Sequence, residues 1–208
     1  VGAAKIALSM RPTDMWTMFN TAGFGAPLKL GFPGEVGGHL RPAQTWRPVE
    51  QATMSYGHGI SVTLVQLARA YLAFARDGDL PALSLTRLDA PPPAGRQLFS
   101  ANTAHAVRAM LEMVVQAGGT APKAHIPGYR VAGKTGTAHK VENGRYANKY
   151  VASFVGFAPA SKPRLVVAVM VDEPSNGKYY GGDVAAPVFA QVMAASLRTL
   201  GVAPDAPL

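Results

Sequence analysis

The chain contains no cysteine. That absence excludes disulfides, zinc–thiolate centres and cysteine nucleophiles, and it agrees with an oxidising compartment whose proteins avoid stray thiols. Long apolar runs are also missing: the longest, Leu165 to Val171, falls well short of the roughly 18 residues of a membrane span. Acids are scarce, with 12 Asp and Glu against 20 Lys and Arg. The net charge of +8 implies attraction to polyanions, yet the basic residues are scattered and none cluster with aromatics. We therefore read a basic, soluble surface and expect no nucleic-acid partner. No group of His and acids has metal-ligand spacing, and nothing calls for a cofactor.

What is present suits one globular domain with a sizeable core: 208 residues, 48 % of them apolar, without internal repeats. The chain opens on Val1 inside what reads as helix, with neither initiator Met nor signal peptide, so it reads as a piece of a longer protein.

The first 120 residues are expected to be mainly helical. A short helix over 13–21 ends at Gly23, and a Gly/Pro-rich stretch over 23–48 is too long for a tight connection and is expected to be an ordered excursion. From Ser61 to Asp77 the apolar positions follow helical spacing, with Ser61 or Thr63 as cap and Gly78 at the end. Within 79–99, Pro91, Pro92 and Pro93 exclude helix interior. A second amphipathic helix over 102–116 is expected to bury Val107, Met110, Leu111, Val114 and Val115. The period then changes. Residues 130–140, 148–158 and 164–172 read as antiparallel strands, the first two joined by an Asn143-Gly144 hairpin. Both faces of this sheet are apolar and must be covered. A terminal helix over 184–200 carries Pro187 near its first turn, with Phe189, Val192, Met193, Leu197 and Leu200 available for burial. The pattern is α+β.

"GYRVAGKTGTAHK", residues 128–140, supports two incompatible readings. Gly128, Gly133, Lys134 and Thr135 satisfy the phosphate-binding G-x-x-x-x-G-K-[ST], and Asp172-Glu173 ends an apolar strand as a Walker B segment does. A phosphate loop, however, needs a buried strand before it and a helix starting at the Lys-Thr. Here Pro122 and Pro127 precede it, and Gly136 and Gly144 come after it. A nucleotide hydrolase thus remains only a remote alternative. The second reading is a strand carrying Lys134-Thr135-Gly136-Thr137 along the edge of a cleft. Thr135 and Thr137 share a face because side chains alternate. Their hydroxyls and the nearby ammonium suit a carboxylate, Gly136 admits close approach, and a backbone N–H on this edge can help hold an oxyanion.

The surroundings favour the second reading. "VAGKTGTA", "YVASFVGFAPA", "PRLVVAVMVDEP" and "YYGGDVAAPVF", preceded by "LGFPGE" and "SYGHGISVTLVQLARAYLAFARDG", closely resemble class B penicillin-binding proteins, nearest to the septal, cell-division D,D-transpeptidases. The resemblance covers the whole chain in order. It implies the penicillin-binding/β-lactamase-like transpeptidase fold, its sheet covered by helices on both faces. It also implies the reaction, in which a serine attacks the D-Ala-D-Ala end of a peptidoglycan stem peptide, releases D-Ala and passes the acyl group to a neighbouring amine. β-Lactams mimic that terminus. By the same resemblance Lys134, Thr135, Gly136 and Thr137 are the catalytic K-T-G-T strand. The two Thr hydroxyls would bind the carboxylate, and the Thr137 N–H would form half an oxyanion hole. Tyr179, Tyr180 and Gly181 would wall the pocket, with Tyr150 a weaker candidate for that wall. His58 and Glu35 are expected to be structural, and His139 is not expected to act as a base. The longer protein is expected at the periplasmic face of the inner membrane, anchored by an N-terminal helix, with membrane proteins of the division machinery as partners.

The family's nucleophile sits in S-x-x-K at a helix start, and S-x-N supplies a second serine and an amide. Both patterns occur here out of place. Ser175-Asn176-Gly177-Lys178 comes after K-T-G and reads as a turn, and Ser100-Ala101-Asn102 reads as a helix cap. "VGAAKIAL" resembles the family's segment immediately after the true S-x-N, so the chain is expected to begin just past that motif and to lack the nucleophile. A catalytically silent wall-binding or division-scaffold fragment is the alternative.

Overall fold

The computed structural model describes residues 1–90 and 92–207, so the expectation for Pro91 lies outside the described residues. The chain divides into two compact units, Val1–Ala70 with Leu80–Leu98, and Tyr71–Asp79 with Phe99–Leu208.

The first unit holds helices α1 (Gly2–Ser9), α2 (Pro12–Thr21) and α3 (Pro48–Met54) and the first part of α4 (Leu64–Ala75). Pro12 and Pro48 open their helices, where a missing N–H leaves no helical bond unmade. Ala7, Met15, Trp46 and Met54 form a small buried cluster. Gln51, itself buried, donates from Nε2 to the carbonyls of Ala7 and Met10, both at 2.8 Å, and so satisfies the end of α1. Glu50 reaches back to the Arg47 N–H at 2.7 Å, and this bond, helped by Arg41, holds its carboxyl at about 2.

The Gly/Pro-rich excursion is ordered largely by one side chain. Thr63 caps α4 by accepting from the Gln66 N–H at 3.1 Å, while Gln66 Oε1 accepts from the Thr63 N–H at 2.8 Å, a reciprocal capping box. The fully buried Gln66 amide then donates to the carbonyls of Gly23, Ala26 and Gly37 at 2.8–2.9 Å. Two amide protons serve three acceptors, so one bond is shared. Glu35 closes a tighter turn by accepting from the Leu30 N–H at 3.0 Å, a structural role as expected.

The second unit carries α5 (Ala101–Met113), strands β1 (Ala132–Glu142), β2 (Arg145–Ala158) and β3 (Leu165–Asp172), and α6 (Gly181–Thr199). The strands pair antiparallel in the order β1-β2-β3. Asn143 and Gly144 take φ of 52° and 75°, the left-handed pair that a two-residue hairpin needs. Alternation on β2 builds two cores. Phe154 and Ala158 face Phe189, Met193 and Leu197 of α6, whereas Phe157 faces the other way, with Ala132, Tyr71, Phe74 and Leu111. Helices therefore cover both faces.

Three expectations are corrected. α6 begins at Gly181 rather than 184, so Pro187 is its seventh residue and lies inside the helix. Met110 is 63 % exposed, because the inward stripe of α5 runs through Ala104 and Leu111 and Met110 lies about 100° from Leu111. Val192 is exposed for the same reason, the buried stripe of α6 being Ala185, Phe189, Met193 and Leu197, whereas Leu200 is exposed because it caps the end of α6 and lies beyond the helix.

Replacing Gln66 by Leu removes a donor from three carbonyls, of which that of Gly37 keeps the Gly25 N–H, and half of a capping box. We expect a loss of about 2–4 kcal/mol in equilibrium urea unfolding. An unchanged midpoint would show that the excursion is ordered by something else.

Candidate active site

β1 is an edge strand of its sheet. Lys134, Thr135, Gly136 and Thr137 lie in it, opposite Val155, Phe154, Ser153 and Ala152 of β2. No helix starts at Lys134-Thr135, so the phosphate-loop reading is contradicted: its last residues are strand. The supposed Walker B acids are ion-paired to Lys140, Asp172 at 3.1 Å and Glu173 at 2.7 Å.

An open cleft of about 380 Å³ runs along this edge, lined by Thr135, Thr137, Thr120, Lys123, Tyr180, Gly181 and Asp183 among others. Thr135 and Thr137 reach it together because they are two residues apart on a strand. Lys134 is not among the lining residues. Its ammonium donates instead to the Thr135 carbonyl at 3.1 Å and to Thr135 Oγ1 at 3.3 Å. Thr137 Oγ1 accepts from the Gly181 N–H at 3.1 Å. A threonine hydroxyl has one proton and two lone pairs. Each hydroxyl therefore receives a bond from a group that can only donate, Lys134 Nζ at Thr135 and the Gly181 N–H at Thr137. Two O–H donors facing one cleft suit an anion with two acceptor oxygens.

The arrangement depends on close backbone approach. A Cβ on Gly181 would stand 2.3 Å from the Ser153 carbonyl oxygen and 2.5 Å from that of Gly136. At Gly182 a Cβ would meet the Thr120 carbonyl at 2.1 Å. The two glycines thus seat the start of α6 directly on β1, β2 and the segment before β1. Lys123 pairs with Asp183 at the rim and holds that carboxyl below its ordinary value.

The tyrosines form a ladder. Tyr150 stacks on Tyr179 with centroids 4.0 Å apart at 16°, and Tyr179 leans on Tyr180 at 4.5 Å. Only Tyr180 lines the cleft, so Tyr150 and Tyr179 support it from behind. The hydrogen bond to Tyr180 raises the Tyr179 hydroxyl above its ordinary range. His139 extends the ladder, 4.4 Å from Tyr150, and does not line the cleft. His58 belongs to the first unit. Ser100 caps α5, accepting from the Thr103 N–H at 3.2 Å. Ser175–Lys178 is a turn in which Asn176 Oδ1 accepts from the Lys178 N–H. Among the described residues no serine lines the cleft. Sequence reasoning missed Thr120, Lys123 and Asp183. Thr120 stands just past Gly118-Gly119 and Asp183 just past Gly181-Gly182, and only the fold brings the two segments together.

An edge strand of Lys-Thr-Gly-Thr presenting two hydroxyls, with a helix start seated on it through glycines, forms a cleft suited to an anion. Residues 1–194 match the family described as the penicillin-binding protein transpeptidase domain, and the chain belongs to that family. It is 46 % identical to a probable peptidoglycan D,D-transpeptidase PenA of Neisseria flavescens over all of this chain and 52 % of that protein. It is 44 % identical to the peptidoglycan D,D-transpeptidase FtsI of Escherichia coli K12 over 99 % of this chain and 35 % of that protein. The transpeptidase domain of Burkholderia pseudomallei penicillin-binding protein 3, solved in its apo form, superposes with a TM-score of 0.94 at 53 % identity, covering 99 % of this chain and 63 % of that one. The chain thus spans about half or a third of the length of these curated relatives. The family and the α+β transpeptidase fold expected from the sequence are borne out.

The glycine contacts rank two substitutions. Gly181→Ala meets only backbone and is expected to destabilise the protein by about 1–3 kcal/mol. Gly136→Ala meets chiefly Ser153 Oγ, at 2.4 Å, which can rotate away, and should cost less. Equilibrium unfolding of the two variants checks the order, and equal losses would contradict it.

Proposed function

We propose that this chain forms the substrate-carboxylate wall of a serine-type peptidoglycan D,D-transpeptidase of cell division. In that reading the nucleophilic serine and the S-x-N element are not among its residues. The observation that carries the proposal is the pair of Thr135 and Thr137 hydroxyls in one cleft, each receiving a bond from a group that can only donate. The terminal carboxylate of a D-Ala-D-Ala stem, or the ring carboxylate of a β-lactam, accepts from both.

The Lys134 ammonium, within 3.3 Å of the Thr135 hydroxyl, adds positive potential where that carboxylate sits. With the terminus held, the penultimate carbonyl lies along the β1 edge, where the Thr137 N–H shares in holding the oxyanion. The serine oxygen bonds to that carbonyl carbon, the peptide C–N bond breaks and D-Ala leaves with a proton on its nitrogen. An amine of a second stem then displaces the serine and completes the cross-link. In a β-lactam the leaving nitrogen stays tethered, and the acyl-enzyme persists. Tyr180, backed by Tyr179 and Tyr150, walls the cleft against water.

The division role is supported by the stretches "FPGE" and "YYGGDVAAPVF" and by the likeness to FtsI. On this reading the full-length protein works at the periplasmic face of the inner membrane beside membrane proteins of the division machinery. Among the described residues no helix is long and apolar enough to cross a membrane.

Mass spectrometry after penicillin treatment tests the proposal. The full-length protein should gain one covalent adduct on a serine outside these residues, and the isolated chain should gain none. An adduct on Ser175, or on any serine of this chain, would contradict it.

A further inference from the structure

Thr120 is a third hydroxyl in the cleft, and neither the K-T-G strand nor the tyrosine wall accounts for it. Its Oγ1 lies 3.3 Å from Thr135 Oγ1. The Thr120 segment is held from both sides: its carbonyl is packed against Gly182, and the Ala121 N–H donates to the Val114 carbonyl at 2.9 Å. The Lys123–Asp183 ion pair latches the same turn to the first turn of α6. This hydroxyl therefore cannot drift far from Thr135.

We propose that Thr120 is a positioning residue that sets the direction of the Thr135 proton. The inference rests on the reading of this cleft as a carboxylate wall. Thr135 Oγ1 has two lone pairs and one proton. Lys134, which can only donate, occupies one lone pair. If Thr120 donates to the other, both acceptor positions are filled and the Thr135 proton points into the cleft. The reverse arrangement, Thr135 donating to Thr120, would spend that proton on a neighbour. An anion in the cleft selects the first arrangement, and each bond then strengthens the next, because a hydroxyl that accepts becomes a better donor. The separation of 3.3 Å is long for two hydroxyls and is expected to shorten as a bound carboxylate draws on the Thr135 proton. Thr120 touches no reacting atom. It acts only through Thr135.

The chemistry makes the effect selective. It requires an anion at Thr135, so a ligand whose carboxylate is esterified should be indifferent to Thr120. The test is the second-order acylation rate of the full-length protein with benzylpenicillin and with its methyl ester. Thr120→Val should slow the free acid roughly fivefold and leave the ester within about twofold of wild type. Thr120→Ser, which keeps the hydroxyl, should restore the acid rate. Thr120→Ala, which removes bulk as well as the hydroxyl, should repeat the selective loss if the Val variant folds poorly. Equal slowing of acid and ester would mean that Thr120 only supports the fold, and the proposal would be wrong. Thr135→Val separates the proposal from the reading beneath it. If that variant loses its preference for the acid while Thr120→Val does not, the positioning role fails and the wall stands. If neither variant discriminates acid from ester, both fail.

Discussion

The contact on which the site depends is that of Gly181 with β1. The Gly181 backbone sits where a methyl group would collide with the carbonyls of Gly136 and Ser153, and from there its N–H reaches Thr137. That single approach fixes the start of α6 against the sheet edge, aims one threonine hydroxyl and carries Tyr180 into position beside it. Backbone contacts of this kind leave little room for adjustment, since neither partner has a rotamer to change. The packing of Phe189, Met193 and Leu197 against Phe154 then holds the rest of α6 in line with its first turn. The hydrophobic core of the second unit and the geometry of the cleft are in this sense one structure.

The first unit obeys a different economy. Its core is small, and a glycine- and proline-rich excursion cannot cover itself with apolar side chains. Order comes instead from two buried amides, Gln51 and Gln66, each collecting backbone carbonyls from separate segments. Polar side chains at such positions replace missing secondary structure, because their bonds join segments roughly 30 to 45 residues apart.

Much of the fold was legible in the sequence. The hairpin was readable because Asn143-Gly144 is favourable in few other conformations, and the strands because they are short apolar runs bounded by turn residues. Ser100 was legible as a cap for an equally local reason, being the acceptor nearest to the first free N–H groups of α5. The errors share a cause as well. Proline is favoured in a first turn, which is where Pro187 was expected, yet α6 starts earlier, at the glycines that β1 requires. Met110, Val192 and Leu200 are apolar enough for a core, although the first two lie about one residue off their helix's buried stripe and Leu200 lies past the end of α6. In the site, K-T-G-T and the tyrosines were readable as motifs. Thr120, Lys123 and Asp183 were not, since they enter the cleft only where a loop and the first turn of α6, distant in sequence, come together. Nor does a linear pattern show that Tyr150 and Tyr179 stand behind Tyr180.

The most direct test of the carboxylate wall is a crystal structure of the full-length protein acylated by a penicillin. The ligand carboxylate is predicted within hydrogen-bonding distance of both Thr135 and Thr137 hydroxyls, with the Gly181 N–H still on Thr137. A carboxylate bound away from these two threonines, with the acyl group nonetheless in place, would contradict the assignment.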